Sequence, residues 1–274
     1  SSETQGATIR FTTNGNPATS SSTLYEGPFA KGDATFFRAI ATKLGYLNSN
    51  EAIYTPPITV HSSSGIEDMS RSYILASDFT SSASIGSSED PFRGIIDGQM
   101  KTLSGLRHAL VAYADGATIK NVILDNVSIS SGTNVGAICN ESTGASRIYN
   151  CGVLASGSTA HTDTDGYTYL TGCSSTISGS NYVGSIVGLL DGSSRVINCF
   201  SYANVSGGSY VGGIVGYNNV ATTASILKTM VMNCMFYGEV SGTSIAPIYN
   251  GEIITNDGDA NGVNNFNYFR LESS

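Results

Sequence analysis

The chain has 274 residues and a net charge of −8, and only 12% of its residues are charged, against roughly 25% in an average globular protein. No Lys/Arg cluster occurs along it, so a phosphate backbone finds no electrostatic footprint and nucleic acid is excluded as a partner. No apolar run of about 18 residues is present, so no helical membrane insertion is expected, and no secretory leader is seen.

Ser, Thr, Asn and Gly replace the missing charges, a balance that suits an extracellular β-protein with many turns. The opening SSETQGATIRFTT reads as the interior of a β-rich stretch, as expected of a fragment or of a mature form whose export signal is gone. Residues 7–55 alternate in short runs broken by turn signals at Asn14-Gly15 and Glu26-Gly27-Pro28, the pattern of a small β-sandwich. Pro56-Pro57 stiffens the exit and His61-Ser62-Ser63-Ser64-Gly65 loosens it. The expected organisation is therefore 1–60, a small Ig-like sandwich lacking its first strand, and 61–274, a repeat domain.

Beyond residue 100 the chain repeats itself. Tyr182-Val183-Gly184-Ser185-Ile186-Val187-Gly188 returns 28 residues later as Tyr210-Val211-Gly212-Gly213-Ile214-Val215-Gly216. Val135-Gly136-Ala137-Ile138-Cys139-Asn140 and Ile245-Ala246-Pro247-Ile248-Tyr249-Asn250 fit the same motif, and Arg107 to Ala112 is a degenerate copy. Its sixth position reads Ala112, Asn140, Gly188, Gly216, Asn250, which predicts a left-handed corner there. A second motif follows each first one: Ile119-Lys120-Asn121-Val122, Ile148-Tyr149-Asn150-Cys151, Val196-Ile197-Asn198-Cys199 and Val231-Met232-Asn233-Cys234.

Such a pattern predicts a parallel β-helix or β-solenoid in which each coil covers its neighbour. Rungs about 4.8 Å apart would stack Asn121, Asn150, Asn198 and Asn233 into an amide ladder that satisfies buried turn polarity. Beside it Val122, Cys151, Cys199 and Cys234 form a ladder of small apolar side chains. No C-x-x-C pair or His partner accompanies the five cysteines, so free buried thiols are expected rather than disulfides or a metal site. Cys139 reads as core, and reduced thiols in an exported protein suit an oxygen-poor habitat. Cys173 falls in the insertion at 156–176 and has no reading of its own.

The chemistry of catalysis is absent from this pattern. Asp125, Glu141, Asp191 and Glu239 fall at different registers, so no carboxylate pair forms on one face. Asp97 reads as a turn former, and His61, His108 and His161 are far apart. The chain is expected not to be an enzyme. Asp257, Asp259 and Asn261 match the first half of a D-x-D-x-N-G loop, but Tyr268 stands where a bidentate Glu belongs. Calcium and a plain polar turn both remain open there, as they do for Asp163 and Asp165, and no other cofactor is implied. Tyr182 and Tyr210 share a register. They form either an outer aromatic stripe for a ligand or a ladder that only stabilises the sheet.

"GSYVGGIVGYN" followed by "VMNCMFYGEVSG" resembles the GLUG-motif repeats of bacterial surface proteins. The lead-in "SRSYILASDF" and "EDPFRGIIDGQMKTLSGL", with Phe92, Gly94, Asp97 and Gly98, is similar to the segment before that family's first coil. "IRFTTNGNPAT", "LYEGPF" and "FRAIATKLGYLNS" resemble the β-sandwich at the C-terminus of chitobiase-like glycosidases, with Asn14 where that family usually has Asp. These resemblances imply an exported, cell-surface, adhesin-like or carbohydrate-binding module with a spacer role. The partner would be a glycan or a host surface protein. The rival they imply is an accessory, non-catalytic region of a larger surface glycosidase or protease.

Overall fold

A computed structural model describes residues 2–30, 32, 34, 36–157, 159–162, 168–171, 173–219, 229–246, 248–251 and 266–267. The fold is all-β. Two compact units divide the chain, Ser1–Ile58 and Thr59–Ser274.

In the first unit, Thr8–Thr12 pairs antiparallel with Phe37–Thr42, which pairs antiparallel with Ala52–Tyr54. Thr23–Leu24 lies on the other side of Thr8–Thr12. The described residues therefore make one four-stranded sheet, with no second facing layer among them. Ile9, Phe11, Phe37 and Ala39 share one face by alternation, and Phe11 stacks on Phe29 at 4.7 Å between ring centroids. The segment expected as a loose linker is instead a strand at Ile58–Ser62 followed by a single 3-10 turn at Ser63–Gly65.

The second unit is a stack of coils built on four parallel sheets. On the first sheet, Ile96, Ile119, Ile148, Val196 and Val231 are successive partners. The second aligns Leu103, Leu124, Val153, Ser201 and Phe236. The third aligns Ile129, Ile177, Val205 and Val240, and also Val135, Val183, Val211 and Ile245. The fourth aligns Val111, Cys139, Val187, Val215 and Tyr249. Tyr249 aside, nearly all of these residues point inward and are buried, so each coil is covered by the next rather than by a separate layer. The insertion carries an antiparallel hairpin, Thr159–Thr162 with Thr168–Thr171.

The repeat glycines do a different job from the expected one. Gly188 and Gly216 have no positive φ. A Cβ on Gly188 would overlap the backbone of Asn134 and Val135, and one on Gly216 the backbone of Tyr182 and Val183. They are glycines because coils meet there backbone to backbone. The left-handed corners lie elsewhere, at Asn121, Asn150, Asn198 and Asn233 (φ 51 to 55°), and at Asn134, Tyr182 and Tyr210 (φ 52 to 55°).

The amide ladder is present but not buried. Asn121 and Asn150 are half-buried, while Asn198 and Asn233 are exposed. Asn198 Nδ2 donates to Asn150 Oδ1 at 3.4 Å, and Asn150 Nδ2 donates to Asn121 Oδ1 at 3.3 Å. Asn121 Nδ2 then donates to Asp97 Oδ1 at 3.0 Å. Asn is required twice over, because it tolerates the left-handed region and carries both donor and acceptor.

Asp97 thus ends the ladder and is more than a turn former. Partial burial raises its pKa, but hydrogen bonds from Asn121, the Gln99 N–H and Lys120 outweigh this and hold it below the ordinary carboxylate range. Its folded value lies below the unfolded value of about 3.9. Its stabilisation is therefore complete above that pH and is lost as pH falls through the lower folded value. An acid titration of the midpoint in urea is expected to steepen below about pH 4, and Asp97→Asn is expected to flatten that limb.

Cys151, Cys199 and Cys234 stand at one register of successive coils. Cys139, Cys151, Cys199 and Cys234 are free and buried, whereas Cys173 is half-buried. Cys151, Cys199 and Cys234 each donate to the carbonyl two residues back, at 3.2 to 3.4 Å. Burial pushes the Cys139 and Cys199 thiols up, and contact with Cys199 does so first for Cys234. A thiol reagent is expected to label Cys173 in the folded protein and the other four only on unfolding, as mass spectrometry of the labelled chain would read.

Candidate functional site at a tyrosine corner

The corner between the third and fourth sheets is built from two registers. Just before the Val135–Val183–Val211 column come Asn134, Tyr182 and Tyr210. Across the turn, the outward positions Tyr113, Glu141, Leu189 and Tyr217 are successive partners. In the coil of Asn134 the two registers meet through a hydrogen bond, Asn134 Nδ2 donating to Glu141 Oε2 at 2.9 Å.

One coil further on, Tyr182 and Leu189 take these two places, and two coils on Tyr210 and Tyr217 do. Tyr182 and Tyr210 lie 5.3 Å apart between centroids, Tyr182 and Tyr217 5.0 Å, and Tyr210 and Tyr217 5.1 Å. Three rings therefore touch pairwise. Tyr210 is 40% exposed, and Tyr182 and Tyr217 are half-buried.

Sequence reasoning paired Tyr182 with Tyr210 correctly but did not place Tyr217. Its signal was the change from Val187-Gly188-Leu189 to Val215-Gly216-Tyr217 at equal register. Nor did it foresee the backbone. Tyr182 and Tyr210 hold a left-handed φ that costs an L-residue of this size roughly 1–2 kcal/mol. The preceding coil fills the same position with Asn134, which adopts it readily. A cluster of amphipathic rings inclined to one another by 31 to 68°, beside a carboxylate and an amide, can cover the apolar face of a polar ligand while the phenol oxygens bond its rim.

A second aromatic group lies on the outer side of the second sheet, where Tyr202 and Tyr237 are 5.9 Å apart. Burial, then the neighbouring Tyr202, pushes the Tyr237 phenol up.

The other candidates do not assemble. Among the described residues no three His, Cys, Asp or Glu side chains are placed to share a metal ion. His61 Nδ1 meets Asp78 Oδ1 at 2.6 Å on the open surface. His108 is wedged between the carbonyls of Ala109 and Ser81, at 2.9 and 3.2 Å. Its Nδ1 also lies 3.3 Å from Ser84 Oγ, but that hydroxyl is bonded to the Ala109 carbonyl, and among the described residues no acid is bonded to the ring. Asp125 accepts from Ser156, and Asp191 from the N–H of Gly192. The loop of Asp257, Asp259 and Asn261, together with Asp163 and Asp165, lies outside the described residues, as does the side chain of His161. No described helix is long and apolar enough to cross a membrane.

Two family models match parts of the chain. Residues 1–55 match the chitobiase/beta-hexosaminidase C-terminal domain. Residues 73–155 match the N-terminal region of the M26 IgA1-specific metallo-endopeptidase, a span running from the strand Ser72–Thr80 into the coil that contains Cys151. No curated protein and no solved structure matches the chain.

Proposed function

We propose that this chain is a non-catalytic recognition and spacer module of an exported, cell-surface protein, and that it engages a glycan through Tyr182, Tyr210 and Tyr217. The carrying observation is that two of these tyrosines keep a costly backbone conformation at a register where Asn134 adopts it cheaply. Ring contact, at roughly 0.5–1.5 kcal/mol for each of the three aromatic pairs, is of the same order as that cost and holds the cluster together. Ligand contact supplies a reason to hold the rings at the surface. The match of residues 1–55 to a domain named for glycosidases supports a carbohydrate ligand. The coil motif, similar to GLUG-type repeats, supports an adhesin-like setting.

The test uses Tyr182→Asn/Tyr210→Asn, because Asn fits the left-handed corner and so separates binding from folding. The double variant is expected to melt within a few degrees of the parent and to lose roughly tenfold or more in affinity for a glycan that the parent binds. Full affinity in a folded variant would remove the corner from the site.

A second reading makes the chain an accessory region of a larger surface glycosidase or protease. It is favoured by the two matches, each to a flanking part of a protein named for an enzyme. Under this reading the module concentrates a catalytic domain on its substrate, and joining it to that domain lowers KM on surface-bound substrate without changing kcat on a soluble one.

A further inference from the structure

The outer face of the first sheet brings together two cations that lie far apart in the chain. Arg147 and Arg195 are 48 residues apart in the chain, the length of the coil with the insertion, and pair directly on adjacent strands. Ile148 and Val196 beside them point inward and are buried, so alternation turns both arginines outward. Arg147 is exposed and Arg195 half-buried. Neither forms an ion pair with a described carboxylate. Nearby Asp97 is already engaged by Lys120 at 3.3 Å and by Asn121. Two positions further along the same strands, Tyr149 and Ile197 are register partners and face the same way. Each of the two coils therefore presents a guanidinium with an apolar or aromatic companion.

Like charges set opposite each other in a sheet are unfavourable, and this chain, at −8 overall, keeps two of its few cations in that arrangement. A bound anion relieves the repulsion. A guanidinium fork fits a carboxylate bidentately, and the surrounding negative field weighs hardest against polyanions charged more densely than one carboxylate per ring. The column climbs the stack by about 4.8 Å per coil, comparable to the advance of one sugar ring in an extended polysaccharide. Tyr149 beside the pair offers a ring face that a sugar can cover and an extended polyglutamate cannot.

We propose that Arg147 and Arg195, flanked by Tyr149 and Ile197, bind a linear carboxylate-bearing polysaccharide of the uronate type running along the stack. The proposal rests on the glycan-recognition reading but uses a separate face of the coils.

Binding of the full chain to polygalacturonate, to its methyl-esterified counterpart and to polyglutamate would test it. The parent is expected to bind polygalacturonate, with the methyl ester and Arg147→Gln/Arg195→Gln each weaker by roughly tenfold or more. Arg147→Lys/Arg195→Lys should fall between parent and Gln variant, since it keeps charge but not the fork. Arg147→Gln/Arg195→Gln should keep the binding of any glycan that depends on Tyr182 and Tyr210, so failure of the tyrosine corner and failure of this site are read separately. Circular dichroism melts verify the fold of each variant. The proposal is overturned if the parent does not bind polygalacturonate, if the folded Gln variant binds it equally, or if the methyl ester or polyglutamate binds as tightly.

Discussion

Gly216→Ala is expected to destabilise the coil stack by about 3 kcal/mol, the upper range for forced overpacking. The added methyl would lie 2.7 Å from the Gly188 carbonyl oxygen and closer still to the backbone of Tyr182 and Val183. No rotamer change relieves this, because the neighbours are main chain held in parallel ladders on both sides. Either the corner opens, breaking hydrogen bonds of both coils, or the coils separate locally. Gly132→Ala is the control. Its Cβ would meet nothing, and its change should stay within about 0.5 kcal/mol. Urea denaturation of the two variants decides the matter, because a glycine needed only for backbone freedom would not distinguish them in this way.

Ile148→Ala should cost a similar amount, about 3–4 kcal/mol, as lost transfer free energy plus an unfilled cavity. Ile148 is fully buried, with Ile119 in the coil before and Val196 in the coil after. A solenoid has no second layer that could collapse into the gap, so relaxation is limited to sliding rigid coils. Ile95 lies on the same sheet with the opposite orientation and is 39% exposed. Ile95→Ala should cost less than about 1 kcal/mol. The ratio of the two effects tests inward and outward alternation directly.

Much of the coil register was readable before any coordinates. The pairing of Val183 with Val211, of Ile148 with Val196 and of Cys139 with Val187 follows from lining up two short motifs, because a parallel stack converts sequence repetition into spatial superposition. The role of the glycines was not readable. Glycine is selected both where φ is positive and where a Cβ has no room, and the letter is the same in both cases. The Asn ladder was read from its spacing, but its exposure depends on which side of the corner the amides leave, which spacing does not encode. Tyr182 and Tyr210 in a left-handed conformation run against side-chain preference, so only coordinates reveal them. Arg147 and Arg195 directly precede the aligned Ile148 and Val196, so their pairing is legible in the motif although they lie 48 positions apart, but which way they face is not. In the first unit, alternation revealed the strands but not the number of layers, since a half-covered sheet and one face of a sandwich share the same pattern.

The recognition reading is tested most directly by a broad glycan array probed with the full chain, with and without calcium, beside the folded Tyr182→Asn/Tyr210→Asn variant. The account predicts specific retention of a limited set of glycans by the parent and loss of that signal in the variant. Retention that is unchanged in the variant, or no retention of any glycan by the parent, would contradict it and leave the coils as a stalk or a protein-directed surface.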